Sequence, residues 1–238
     1  MMARNRMQRL AMLAGVIAFP GLALAQNQCV IPQSLPQSRA LFPPPGRTVV
    51  APLTGHILAL SWSPQFCKER GDESKNASQC SGPGKFGFVL HGLWPDGAGQ
   101  NDPQWCKRVP PVSVEVMKQY FCATPSAGLM QYEWAKHGSC IERDAEHYFR
   151  AASRLYAALN FPDMEALSRS QTDVAAFRTA FIAVNPGLSA DMVRVDVTQL
   201  GWLKEVRLCL ARDYHPIACP RDIGGDGADT KLKIWPAR

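Results

Sequence analysis

Beyond its first twenty-five residues, the 238-residue chain has no apolar stretch long enough to span a bilayer, and it carries no long run of lysine or arginine. It also has no C-x-x-C pair, no internal repeat and no linker that would divide it. Each lack excludes a class. Without basic runs the chain is not a broad electrostatic nucleic-acid binder, so any chemistry on a polyanion must be concentrated in one site. Irregular cysteine spacing argues against a structural zinc centre. With neither repeat nor linker, a single domain is expected.

Residues 1–25 read as a secretory signal peptide. Arg4, Arg6 and Arg9 begin it, an apolar run follows from Leu10 to Leu24, and Ala23-Leu24-Ala25 supplies a small-x-small cleavage site. Pro20 and Gly21 interrupt the run, which argues against a retained membrane helix. Residues 26–238 are then one exported domain, periplasmic or secreted, with no membrane attachment. The formal net charge of +6 falls to +3 without the three leader arginines, 23 basic against 20 acidic residues. That is a mildly basic surface, compatible with a polyanionic substrate. Eight cysteines (Cys29, Cys67, Cys80, Cys106, Cys122, Cys140, Cys209 and Cys219) fit four disulfides in an oxidising compartment.

The periodicities predict an α+β fold, a central antiparallel sheet packed against several helices. Residues 26–48 read as a proline-rich surface arm. A strand with two partly apolar faces is expected over 55–62, then a polar loop over 68–84 and a short strand over 85–91 that ends in the turn 92–95. Residues 97–111 are irregular. Helical spacing follows over 112–121, 129–137, 145–159 and 174–184, the last stopped by Asn185-Pro186-Gly187. Strands with one wet face are expected where Val193, Val195 and Val197 alternate, and again at Val206, Leu208 and Leu210. A final short strand fits 231–235. The glycine- and aspartate-rich stretch 221–230 reads as a mobile surface loop.

Two segments carry chemistry. In His91-Gly92-Leu93-Trp94-Pro95-Asp96 the histidine closes a strand, Trp94 offers a flat face for a base, and Asp96 offers an acceptor for its edge. In Tyr132-Glu133-Trp134-Ala135-Lys136-His137-Gly138, a helix would put Glu133 and His137 on one face with Lys136 leaning toward them. Two imidazoles, a carboxylate and an ammonium can move protons around a phosphodiester and neutralise the charge that builds on it. The bland readings are a structural His91 beside a core Trp94, and a solvated i,i+4 charge network. His56, His147 and His215 are read as structural or surface residues, and Asn76-Ala77-Ser78 as a possible glycosylation triplet in an exposed loop.

Taken together, the two segments resemble the active-site segments of the ribonuclease T2 family. The stretch Leu58-Ala59-Leu60-Ser61-Trp62-Ser63-Pro64-Gln65-Phe66-Cys67 is similar to that family's first core strand and its following cysteine. Glu205-Val206-Arg207-Leu208-Cys209 with Cys219 is similar to its C-terminal strand and disulfide. The resemblance spans residues 56–220. It implies endonucleolytic cleavage of single-stranded RNA without metal or cofactor, by a protein expected to act as a monomer. The ribose 2′-hydroxyl attacks the adjacent phosphorus to give a 2′,3′-cyclic phosphate, which water later opens to a 3′-phosphate. By the same resemblance His137 takes the 2′-hydroxyl proton, His91 protonates the leaving 5′-oxygen, and Glu133 and Lys136 steady the phosphorane. Trp94 and Asp96 match the base-binding positions. Tyr132 stands where many members carry a phosphate-binding histidine; a phenol can donate a hydrogen bond but brings no cation. The implied disulfides are Cys106–Cys140 and Cys209–Cys219, with Cys67–Cys80 and Cys29–Cys122 for the other four cysteines.

Two rivals stand beside this reading. One is a catalytically weakened RNA-binding or signalling protein on the same fold, supported by Tyr132 alone. The other is a metal-dependent hydrolase with His91, His137 and Glu133 as ligands, which the adjacent Lys136 opposes by charge.

Overall fold

The run predicted as a strand over 55–62 forms β1 (Leu53–Trp62), apolar on both sides because both sides are covered: Ile57, Leu58, Ala59, Leu60 and Trp62 are all buried. The computed structural model describes residues 28–44, 46–99 and 101–237, so the signal peptide expected over 1–25 lies outside the described residues. β1 leads directly into α1 (Ser63–Arg70), with Pro64 in the first turn, where an amide proton would have no helical partner. After it come α2 (Ala77–Cys80), β2 (Phe88–Gly97), α3 (Val114–Tyr120), α4 (Ala127–Glu133), α5 (Ser139–Ile141), α6 (Ala145–Ala157) and α7 (Met164–Ser168). The chain continues through β3 (Thr172–Asp173), α8 (Val174–Ala183), β4 (Val193–Val197), β5 (Leu203–Ala211) and β6 (Lys231–Leu232). Ser113, Ser126, Asp144 and Asp173 cap α3, α4, α6 and α8, each side chain accepting from a first-turn N–H.

The expected α+β class forms, as a four-stranded antiparallel sheet in the order β2-β1-β5-β4 with helices against it. Alternation assigns its faces. Leu58 and Leu60 of β1, with their partners Leu208 and Val206 on β5 and Leu93 and Leu90 on β2, point into the core with Phe149, Phe177 and Phe181. The opposite face carries Ile57, Ala59 and Ser61 beside Cys209, Arg207 and Glu205.

Several expectations change on this frame. The second strand does not stop at residue 91; β2 runs through Pro95 to Gly97. It lies at the edge of the sheet, where a missing amide proton is tolerated. The polar stretch 68–84 is helical in three short pieces, 63–70, 74–76 and 77–80, stapled by Cys67–Cys80 and by Gln79 Nε2 donating to Ser63 Oγ at 2.7 Å. Those local bonds leave no apolar period to read. The helix over 129–137 begins earlier, at Ala127, and widens after Glu133 into a π turn, Trp134–Gly138. The polar face of β5 is not wet: Glu205 and Cys209 are buried.

The stretch 221–230, expected as a mobile loop, is hydrogen-bonded into the fold. Asp226 N–H donates to the Val195 carbonyl and its carboxylate accepts from Val197 N–H, while Ala228 and Thr230 carbonyls accept from the start of α8. It thereby covers the outer edge of β4, as charged or irregular cover commonly does for an exposed strand. The disulfides are Cys29–Cys122, Cys67–Cys80, Cys106–Cys140 and Cys209–Cys219. The first ties the N-terminal arm to the segment after α3, and the third ties the π turn region to the loop after β2.

Candidate active site

His91 is an extra residue. In the pairing of β1 with β2, Ala59 faces Gly92 and Leu60 faces Leu90, so His91 has no partner and the strand bulges there. Leu90 and Leu93 both reach the core although three positions separate them, which only an inserted residue allows. The bulge is pinned from outside: Leu90 N–H donates to the Ala123 carbonyl at 2.8 Å, and Thr124 Oγ1 donates to the Leu90 carbonyl at 2.9 Å. The imidazole is thus held aside from the ladder on fixed backbone.

The π turn places the second group. One wide turn after Glu133 brings Lys136 over the Tyr132 ring and His137 against Trp94, and the Lys136 carbonyl, no longer needed by a regular helical ladder, accepts from Trp105 N–H at 2.7 Å. Trp105 holds a left-handed backbone, φ 56°, beside the Cys106–Cys140 disulfide, so the loop and the turn fix one another. Gly138 closes the turn against aromatic rings. A Cβ there would lie 2.5 Å from Trp134 Cε3 and 2.8 Å from Tyr148 Cγ. Gly138→Ala is therefore expected to cost about 1–3 kcal/mol of stability; a thermal melt that matched the parent protein would contradict this packing.

Trp94 joins the two histidines. Its ring meets His91 edge-on at 5.1 Å and His137 at 5.5 Å, and its Nε1–H donates to Glu133 Oε2 at 2.7 Å. Glu133 is buried, and its other oxygen lies 3.6 Å from His91 Nε2. The Lys136 ammonium stands 5.5 Å over the ring of Tyr132, which is 40% exposed and packs edge-on against Trp105. The structure thus gathers His91, Trp94, Glu133, Lys136 and His137, with Tyr132 at the rim. Asp96 lies apart: it is buried opposite Gly55 on the same strand pair and accepts from Thr54 Oγ1 at 3.3 Å.

The two imidazoles are displaced in opposite directions. Burial pushes His137 down to about 2, and the Lys136 and His91 charges push the same way. Its buried Nδ1 has no hydrogen-bond partner among the described residues, so nothing holds a second proton on that ring. For His91 burial also pulls downward, but the hydrogen bond its Nδ1–H gives to Glu205 and the charges of Glu133 and Glu205 overcome it, and the net displacement is upward. Burial likewise raises Glu133, against the opposing pull of His91, the Trp94 N–H and Lys136. One imidazole displaced toward its neutral form and one toward its protonated form, both against one indole, suit an acid–base pair.

Glu205 is the residue that pattern reading missed. It sits in β5 at an alternating position that reads as solvent-facing, yet it is 8% exposed and its Oε2 is 2.6 Å from His91 Nδ1. A cleft of about 480 Å³ opens on this side, lined by Ser61, Gln65, Val89, His91, Leu129 and Glu205 among others. Outside it, His56 is buried against Tyr214 with Nδ1 3.2 Å from the Ala211 carbonyl, and His147 and His215 pair with Asp144 and Asp213. Asn76 is buried with its amide nitrogen donating to the Arg70 carbonyl, so the triplet it begins is not the exposed acceptor expected from its loop composition. Among the described residues, no three His, Cys, Asp or Glu side chains are grouped to hold a metal ion.

Comparison with known proteins places the fold and the family. A probable ribonuclease of Haemophilus influenzae is 38% identical over 137 residues, 53% of this chain and 50% of the relative, so the chain spans about half the length of that curated relative. Among solved structures, an RNase-related protein from Calystegia sepium superposes with a TM-score of 0.61 at 19% identity, covering 77% of this chain and 98% of that one. RNase NT in complex with 5′-AMP gives 0.59 at 21% identity, covering 79% and 100%. These likenesses concern the fold. The model of the Ribonuclease T2 family matches residues 54–219, a stretch that holds both histidine segments and the strand bearing Glu205, and on that match the chain belongs to the ribonuclease T2 family.

Proposed function

We propose that this protein is an exported endoribonuclease that cleaves single-stranded RNA by transesterification, without a metal. The carrying observation is the pair of unlike imidazoles set around Trp94, one backed by a carboxylate and one bare. Neutral His137 accepts the proton of the ribose 2′-hydroxyl as its oxygen attacks the adjacent phosphorus. Protonated His91 delivers a proton to the departing 5′-oxygen, and a 2′,3′-cyclic phosphate results. Water, activated in the reverse sense by the same pair, opens the cycle to a 3′-phosphate. Lys136 supplies fixed positive charge for the phosphorane, and Glu133 holds Trp94 and faces His91. The 2′-hydroxyl requirement makes DNA inert. Four disulfides suit an oxidising compartment, the periplasm or the extracellular medium.

The test is digestion of a defined single-stranded RNA in excess EDTA, with products weighed by mass spectrometry. Cyclic phosphates followed by 3′-phosphates are expected. Loss of cleavage on chelation with recovery on adding a divalent ion, or 5′-phosphate products, would sink the reading.

A further inference from the structure

His91 lies on β2 and Glu205 on β5, with β1 between them, yet their side chains meet across that strand at 2.6 Å. Three features permit this. The extra residue in β2 frees the imidazole from the ladder. The β1 residues between the pair are small: Ser61 stands opposite both Val89 and Glu205, and Ala59 opposite both Gly92 and Arg207. Arg207, two positions along β5, backs the carboxylate from its far side. Its Nε is 3.8 Å from Glu205 Oε1, while its Nη2 donates to Asp196 Oδ1 at 2.6 Å and to the Gly224 carbonyl at 3.3 Å.

We propose that Glu205 is the positioning residue of the general acid: its carboxylate accepts a hydrogen bond from His91 Nδ1–H and fixes the ring so that Nε2, on the Glu133 side, carries the proton to be delivered. The inference deepens the ribonuclease reading and rests on it. The charges facing His91 are Glu205 from β5, with Lys204 and Arg207 flanking it; Glu133 from α4; and Lys136 with His137 from the π turn. Glu205 is the carboxylate in direct hydrogen bond, and it stays ionised although burial opposes that, because His91, Arg207 and Lys204 favour its charge. A raised imidazole is fully protonated at low pH and loses its proton as pH climbs through its own pKa. The acid form of His91 therefore survives to higher pH than a free imidazole would, and removing the carboxylate must shorten that range from above.

Glu205→Gln keeps the shape and removes the charge. The alkaline limb of kcat/KM against pH is expected to move about one to two pH units lower, and Glu205→Asp should restore part of it. In a His91→Ala background, adding Glu205→Gln should change the residual rate no further, as coupling through one partner requires. In the unaltered protein, nitrogen NMR should show His91 titrating above an ordinary histidine and carrying its neutral-state proton on Nδ1. An unmoved alkaline limb in folded Glu205→Gln overturns the proposal. So does a His91 in the unaltered protein that titrates at or below an ordinary histidine. This second measurement needs no variant and no turnover, so it separates a failure here from a failure of the ribonuclease assignment.

Discussion

His91→Ala and His137→Ala are each expected to lower kcat on single-stranded RNA by about a thousandfold or more, the scale at which positioned acid–base groups contribute. The two losses should not resemble one another in stability. His137 has an unbonded Nδ1 and sits partly exposed against Trp94, so its removal breaks few contacts. His91 lies between Glu205 and Glu133, and taking it away leaves two buried carboxylates facing each other without the cation between them. The melting temperature of His91→Ala should therefore fall further than that of His137→Ala, and the gap should narrow as acid protonates the carboxylates. A folded variant of either kind that kept activity within tenfold of the parent would remove that histidine from the mechanism.

The second large effect comes from one carbon. Gly92 follows the bulge, and a Cβ placed on it would overlap Glu133 Oε2 and stand 2.7 Å from Trp94 Nε1. Gly92→Ala drives apart the hydrogen bond that joins Trp94 to Glu133, and through it the ring that both histidines touch. Misplacing reacting groups by about an ångström can cost about a hundredfold in rate, and a loss of that order in kcat is expected, with about 1–3 kcal/mol of stability. Steady-state kinetics with a parallel denaturant titration would check both. Full activity would mean that Glu133 has room to retreat and that its bond to Trp94 is dispensable.

Much of the site was legible because its residues lie in two short runs. His91 and Trp94 are three apart, Glu133, Lys136 and His137 within five, and the resemblance to a family supplied their expected roles and two of the cysteine pairs, Cys106–Cys140 and Cys209–Cys219. Periodicity alone found β1, α6, α8, β4 and β5 within a few residues at either end. It failed where geometry departs from a regular repeat. The turn expected after residue 91 rested on Gly92 and Pro95, residues that an edge strand with a bulge accommodates equally well. A regular helix through 129–137 was a reasonable reading of the apolar spacing, which does not distinguish a π turn from an α turn over five residues. Glu205 escaped because alternation assigns a charged strand residue to water. Only the three-dimensional position of His91, one strand further over, gives that carboxylate a buried partner. The stretch 221–230 looked loose by composition, but its hydrogen bonds go to β4 and α8, far from it in the chain and invisible to any local window.

The single unmatched residue in β2 also quantises that strand's length. On either side of it the inward and outward sets of side chains run out of phase, Phe88 and Leu90 before, Leu93 after. Losing one residue there would let the ladder close without interruption, yet the imidazole would be gone or turned toward the hydrocarbon interior. Gaining one would rotate Trp94 away from its indole–carboxylate bond. Tolerance to insertion and deletion should accordingly be lowest in this edge strand, an unusual place for rigidity, and highest in the arm before β1.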